Sequence, residues 1–247
     1  MKIKSILFFL LSLSLNGCVV SGQSLNHDDK FEGYNRAMFS FNNTVDKYFL
    51  KPIAQGYLSV TPKAVQNRVN SIFSNIFEPV SAANHVLQGE FKSAGVNVAR
   101  FGVNTTLGLL GSFDVASGWG LDVEKTNFDE TLATWCVADG PFIILPFVGP
   151  ATPRSAVGLA VDSIANPVNI ASNSVTSEGD ANSLRYGYAG ANVIVARANA
   201  MPLLNDLEKN SVDYYTAMRS AYLQNRAATK CGSKQGVITY DFDFDME

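Results

Sequence analysis

The stretch Gly140-Pro141-Phe142-Ile143-Ile144-Leu145-Pro146-Phe147-Val148-Gly149-Pro150 crowds large apolar side chains between helix breakers. Proline removes a backbone donor and clashes with the preceding turn, so this block cannot lengthen any helix and must form an apolar hairpin or loop. Its composition leaves two uses open. It can bury as a strand in the core, or it can wedge into the acyl region of a membrane, where each large side chain gains about 1.5–3 kcal/mol. Both can coexist.

Around that block the apolar positions step by three and four. Phe31, Tyr34, Met38, Phe41, Val45 and Tyr48 share one helical face, and the spacing predicts a helix ending near Lys51-Pro52. Thr61-Pro62 reads as an N-cap followed by proline at the first helical position, with Val65, Val69, Ile72 and Ile76 as the stripe. Pro79 makes Val80 to Leu87 either a kinked continuation or a new helix closing at Gly89. Glu90 to Leu110 steps helically again, and its Gly95, Ala99 and Gly102 permit close helix contact in lipid or in an ordinary core. Asn127 and Glu130 resemble a capping box opening a short helix through Trp135. Thr152-Pro153 is a second cap-plus-proline start that stops at Asn166-Pro167. Ser183 to Ala200 and Ser211 to Arg226 complete an all-α chain with one short apolar hairpin and no βαβ rhythm.

The beginning of the chain is of another kind. Lys2 and Lys4 precede an apolar run from Ile6 to Leu15, then Asn16-Gly17-Cys18, which reads as an export signal over 1–17. The run is roughly half of the ~20 residues that a spanning helix needs. Leu15-x-Gly17-Cys18 resembles a bacterial lipobox, with Cys18 as the lipid anchor, and Val19 in place of aspartate points to the outer membrane. Residues 18–30 are polar and small, a tether reaching at most about 40 Å. One helical domain over 31–230 follows, and then a tail, 231–247, that alternates Tyr240, Phe242 and Phe244 with aspartates.

The composition excludes several classes. A net charge of −3 with 17% charged residues provides no basic stripe for nucleic acid. Hydrophobic residues at 47% and 16 phenylalanines leave apolar surface to spare, which suits lipid. The only histidines are His27 and His85, and there is no nucleophile elbow, phosphate loop or metal-spaced cluster, so neither catalysis nor a metal or cofactor is expected. With Cys18 lipidated, Cys136 and Cys231 remain, either as a disulfide or as two buried free thiols.

Phe31-Glu-Gly-Tyr-Asn-Arg-Ala-Met-Phe39, Lys51-Pro52-Ile-Ala, Asn75 to Pro79, Leu87-Gln-Gly89, Arg100-Phe101, Phe113-Asp114-Val-Ala116, Phe128 to Leu132, the Gly140 to Gly149 block and Arg154 occur in an order that resembles the MlaA (VacJ) family of outer-membrane lipoproteins. The likeness runs from about residue 30 to 225. It implies a single-domain ring of amphipathic helices in the inner leaflet of the outer membrane, around a central channel through which misplaced phospholipids leave the outer leaflet. It also implies porin trimers and a soluble periplasmic carrier of the MlaC type as partners. Carried over by position, Phe142, Ile143, Ile144, Leu145 and Phe147 form the membrane-facing hairpin. Tyr34, Asn35, Met38, Phe41, Asn42 and Val45 are the candidate channel wall, although core packing with solvated asparagines explains that stripe as well. The competing function is a structural, porin-binding lipoprotein that moves no lipid.

Overall fold

Helix α1 (Glu32–Val45) runs into a π-helical turn, Asp46–Leu50, and on into α2 (Lys51–Val60). The predicted end at Lys51-Pro52 is therefore a continuation. The π turn wraps one residue more than an α turn, with the Lys51 N–H bonded to the Asp46 carbonyl, and Pro52 then falls in the first turn of α2.

This computed structural model describes residues 29–174, 177–227 and Cys231. The signal sequence, the Cys18 anchor, most of the tether and the aromatic tail lie outside them. A compact unit begins at Phe31.

Helix α3 (Lys63–Leu87) starts one residue later than predicted. Pro62 itself is the N-cap and Thr61 closes α2, its carbonyl accepting from Gln66 Nε2 at 2.7 Å. Pro79 lies inside α3, so the segment after it is the continuation and not a new helix. Gly89, at φ +79°, ends it as predicted. Helix α4 (Phe91–Thr106) stops short of Leu110, and α5 (Val115–Gly118) and α6 (Phe128–Thr134) follow. The Asn127 side chain accepts the Glu130 N–H at 3.0 Å, the cap expected from the spacing.

The apolar block forms β1 (Ile143–Leu145) and β2 (Gly149–Ala151), antiparallel with Ile144 opposite Pro150. Then come α7 (Pro153–Ala165) with a Thr152/Ser155 capping box, α8 (Pro167–Ser172), α9 (Glu178–Asn210) and α10 (Tyr214–Ala227). Helix α3 packs along α4, α6 against α7, and both α2 and α8 against α9. A Cβ at Gly158 would sit 2.6 Å from the Asp129 backbone nitrogen, which fixes how closely α7 approaches α6. The chain is thus a single helical domain carrying one small hairpin.

Its interior is the reverse of a water-soluble core. Among the described residues thirty large apolar side chains are more than a third exposed, whereas six apolar side chains larger than alanine are buried. Alanines fill most other buried apolar positions, and Asn35, Glu78, Ser81, Asn97, Thr131 and Ser172 are almost wholly enclosed. Scattered exposed leucines are normal, but this imbalance is not. Among the described residues no helix is long and apolar enough to cross a membrane.

Polar bonds hold the interior. The Glu78 carboxylate takes Arg100 Nε at 3.0 Å, Asn97 Nδ2 at 2.5 Å and Lys125 Nζ at 3.4 Å. Arg100 continues to the Leu121 carbonyl at 2.6 Å and to Asp114 at 2.8 Å. Removing one member of a buried pair costs about 3–5 kcal/mol, because the survivor is left uncompensated. Glu78→Ala is therefore expected to lower the unfolding free energy by about that amount; an unchanged denaturation midpoint in detergent would refute the network's structural role.

Burial works to raise the Asp114 carboxyl, but hydrogen bonds from Ser117, Arg100 and Asn104 outweigh it and hold it at about 2. A depressed folded value means that the stabilisation is complete above the ordinary 3.8 and is lost as pH falls toward 2. Thermal melts across that window should show a steeper acid loss for the wild type than for Asp114→Asn; equal slopes would contradict the assignment.

Candidate functional site

Asn35 and Asn42 lie two helical turns apart on α1 and both grip β1. Asn35 Nδ2 donates to the Phe142 carbonyl at 3.2 Å, and the Ile144 N–H donates to Asn35 Oδ1 at 2.8 Å. Asn42 Nδ2 donates to the Leu145 carbonyl at 2.8 Å, and the Phe147 N–H donates to Asn42 Oδ1 at 2.8 Å. Since β1 pairs with β2 along its other edge, two side-chain amides act here as a neighbouring strand.

This arrangement gives the core-packing reading to part of the candidate channel wall. Asn35 is fully buried against the hairpin, and Met38, half-buried, packs on the cluster of Phe142, Ile144 and Tyr215. Asn42 and Val45 are half-buried, while Tyr34 and Phe41 remain exposed. The hairpin divides as well. Alternation along β1 turns Ile144 inward, 1% exposed, and Phe142 joins it under Tyr215 and Tyr222 of α10. These two do not face a membrane, contrary to expectation. Ile143 and Leu145 are half-buried, and the turn carries the exposure: Phe147 is 74% exposed and meets Phe41 edge-to-face with ring centroids 5.2 Å apart.

Helix α10 is fastened over the hairpin by charge. Arg226 Nη1 bonds Asp129 at 2.8 Å and its Nε bonds Asp139 at 3.1 Å, while Arg154 Nε meets the same Asp129 at 2.9 Å. Burial would raise the Asp129 carboxyl, but the two guanidiniums pull it below its ordinary value. Beside this cluster Cys136 and Cys231 are joined in a disulfide with Cα atoms 4.7 Å apart, within the range such a bond needs. Arg197 binds Asp46 through two contacts, 2.5 and 2.8 Å, tying α9 to the π turn. Sequence reading missed these clusters, because pairs separated by 97 or 151 positions leave no local signal.

A half-open cavity of about 190 Å³ lies between α3, α4 and the start of α5, lined by Asn70, Ser71, Ser74, Asn104 and Asp114. The loop joining Asn104 to Asp114 packs tightly: a Cβ at Gly111 would lie 2.4 Å from Asn75 Cβ. Within it Leu109 and Leu110 adopt φ of +51° and +58°, a region that costs a branched residue about 1–2 kcal/mol. Both remain mostly exposed. His85 bridges Glu90 at 2.9 Å and the Glu124 carbonyl at 3.0 Å, which engages both ring nitrogens in structure. No metal-holding group of side chains occurs among the described residues.

The profile of the MlaA lipoprotein family matches residues 27–229. The chain belongs to this family. The Haemophilus influenzae "Intermembrane phospholipid transport system lipoprotein MlaA" is 34% identical over 91% of this chain and 90% of its own. The Escherichia coli protein of the same name is 34% identical over 66% of each chain. An uncharacterized protein of Rickettsia typhi shares 35% identity over 87% of this chain and 80% of its own. A solved structure described as "Structural basis for maintenance of bacterial outer membrane lipid asymmetry" superposes with a TM-score of 0.68 at 32% identity, over 82% of this chain and 99% of the other.

For this MlaA-family chain the two asparagines predict separable effects. Asn35→Ala leaves the Ile144 N–H and the Phe142 carbonyl buried and unpaired, at about 1–3 kcal/mol per group. It should lower global stability. Asn42→Ala acts nearer the exposed turn and should speed amide exchange at Phe147 while the melting midpoint stays within a few degrees. Identical behaviour of the two variants would refute the division of labour.

Proposed function

We propose that this protein is an outer-membrane lipoprotein of a phospholipid transport system. It takes misplaced phospholipids from the outer leaflet and passes them to a periplasmic carrier, which maintains the lipid asymmetry of that membrane. It does so without covalent chemistry. The observation that carries the reading is the inverted distribution of side chains: an apolar exterior over a polar, ion-paired interior. The phospholipid transport named for the Haemophilus influenzae and Escherichia coli relatives supports it, as does the lipid asymmetry named for the solved structure.

With no helix among the described residues both long and apolar enough to span, an exterior of this kind is satisfied by a body embedded in one leaflet. Cys18, the proposed lipid anchor, adds acyl chains at about 0.8 kcal/mol per buried methylene and makes that residence permanent. The anchored leaflet is the inner one, where a periplasmic carrier of the MlaC type has access. The exposed apolar faces also suit the outer wall of a porin trimer. Nothing in such a conduit consumes energy, so transport runs down whatever gradient the partners maintain.

The test is phospholipid exposure at the cell surface in a deletion strain complemented with the wild type or Cys18→Ala. Exposure should rise on deletion and be restored by the wild type alone. An unchanged surface would sink the transport reading and favour a structural, porin-bound role.

A further inference from the structure

Arg36, Arg100, Arg154, Arg197 and Arg226 each close on a carboxylate, and Arg185 donates to Ser172 and Asn173. Arg68 is placed differently. It stands exposed on the second turn of α3, with no carboxylate at ion-pair distance among the described residues. Its guanidinium carbon lies 3.8 Å from the centroid of the Phe113 ring, and its Nη1 meets the Ser112 carbonyl at 3.5 Å. A stack on one face and a contact at one end set the plane of the group. They leave the edge formed by Nε and Nη2, which offers two parallel donors of the kind that carboxylates and phosphates accept.

The charge of Arg68 is not cancelled nearby. From Lys63 to Phe77 helix α3 carries Lys63 and Arg68 and no acid, and the segment from Thr105 to Phe113 carries no charge at all. Asp114, next along the chain, is taken up by Arg100 at 2.8 Å and by Asn104 at 2.9 Å. The loop offers Arg68 apolar neighbours instead. The Ser112 N–H is bonded to the Leu109 carbonyl at 3.2 Å, and Leu109 and Leu110 are 66 and 73% exposed. Both sit on a left-handed backbone, which L-residues keep only where their surroundings hold it. A cation beside exposed leucines is costly in lipid unless an anion joins it, and at a bilayer surface the anion at hand is a phosphate.

We infer that Arg68, braced on Phe113, is a docking point for the phosphate of a phospholipid whose acyl chains lie on Leu109 and Leu110. The inference rests on the phospholipid reading above and assigns the contact that recognises the charged part of the lipid. A free phosphate would satisfy the same two donors, but it has no use for the leucines.

The full chain in mild detergent is incubated with mixed micelles of equal phosphatidylglycerol and diacylglycerol carrying the same acyl chains, and bound lipid is read by native mass spectrometry. The wild type is expected to favour phosphatidylglycerol. Arg68→Gln should cut that preference about tenfold, the effect of one charge-assisted contact, and leave the melting midpoint unchanged. Arg68→Lys keeps the charge without the paired donors and should lie between the two. Wild type with neither lipid bound would overturn the transport reading itself. An unchanged preference in Arg68→Gln, Arg68→Lys equal to the wild type, or displacement of the phospholipid by inorganic phosphate would overturn the docking point alone.

Discussion

Glu78 sits wholly out of solvent and is held by Arg100, Asn97 and Lys125, and the rest of the fold depends on that clasp. A domain that leaves its large apolar side chains outside cannot draw much cohesion from burying them. In lipid the hydrophobic effect no longer drives helices together, and hydrogen bonds with close packing take its place. The clasp lies where α3 crosses α4, and Arg100 extends it to Leu121, Asp114 and the loop that follows α5. Comparable clusters, Asp129 with Arg154 and Arg226, and Asp46 with Arg197, repeat the device wherever distant segments must be fixed.

The hairpin shows the same logic at smaller scale. Two strands of three residues are marginal by themselves, and β1 would have a bare edge. Asn35 and Asn42 fill that edge, Phe142 and Ile144 anchor it beneath α10, and only the turn around Phe147 projects. A short apolar element is thereby held at its base, and at its exposed tip the Phe147 N–H remains bonded to Asn42.

The helical class, the hairpin and most helix caps were legible in the sequence because they are local. Asn127, Thr152, Gly89 and the broken Gly140 to Pro150 block each carry their signal within a few residues. Proline misleads at Pro52, which follows a π turn and does not end its helix, whereas at Pro79 the continuation within α3 is one of the two readings that the sequence leaves open. A π turn has no sequence signature of the kind that caps have. The periodicity gives the shared face of α1 but not what covers it. Periodicity says that Asn35 and Asn42 share a side, and it cannot say that a strand more than a hundred residues away lies on that side. The ion clusters and the cavity were invisible for the same reason. In a chain that buries its polar groups, the usual rule that asparagine marks solvent points the wrong way.

The account stands or falls on whether the exposed apolar side chains touch lipid. Spin labels placed singly at Phe91, Val98, Ile164 and Tyr186, all more than 60% exposed, can be read in nanodiscs by power saturation with oxygen and with a water-soluble nickel complex. Contact with lipid predicts strong relaxation by oxygen and little by nickel at most of these positions. Ready access for nickel at all four would mean that the apolar exterior faces water, and the inverted architecture would need another explanation.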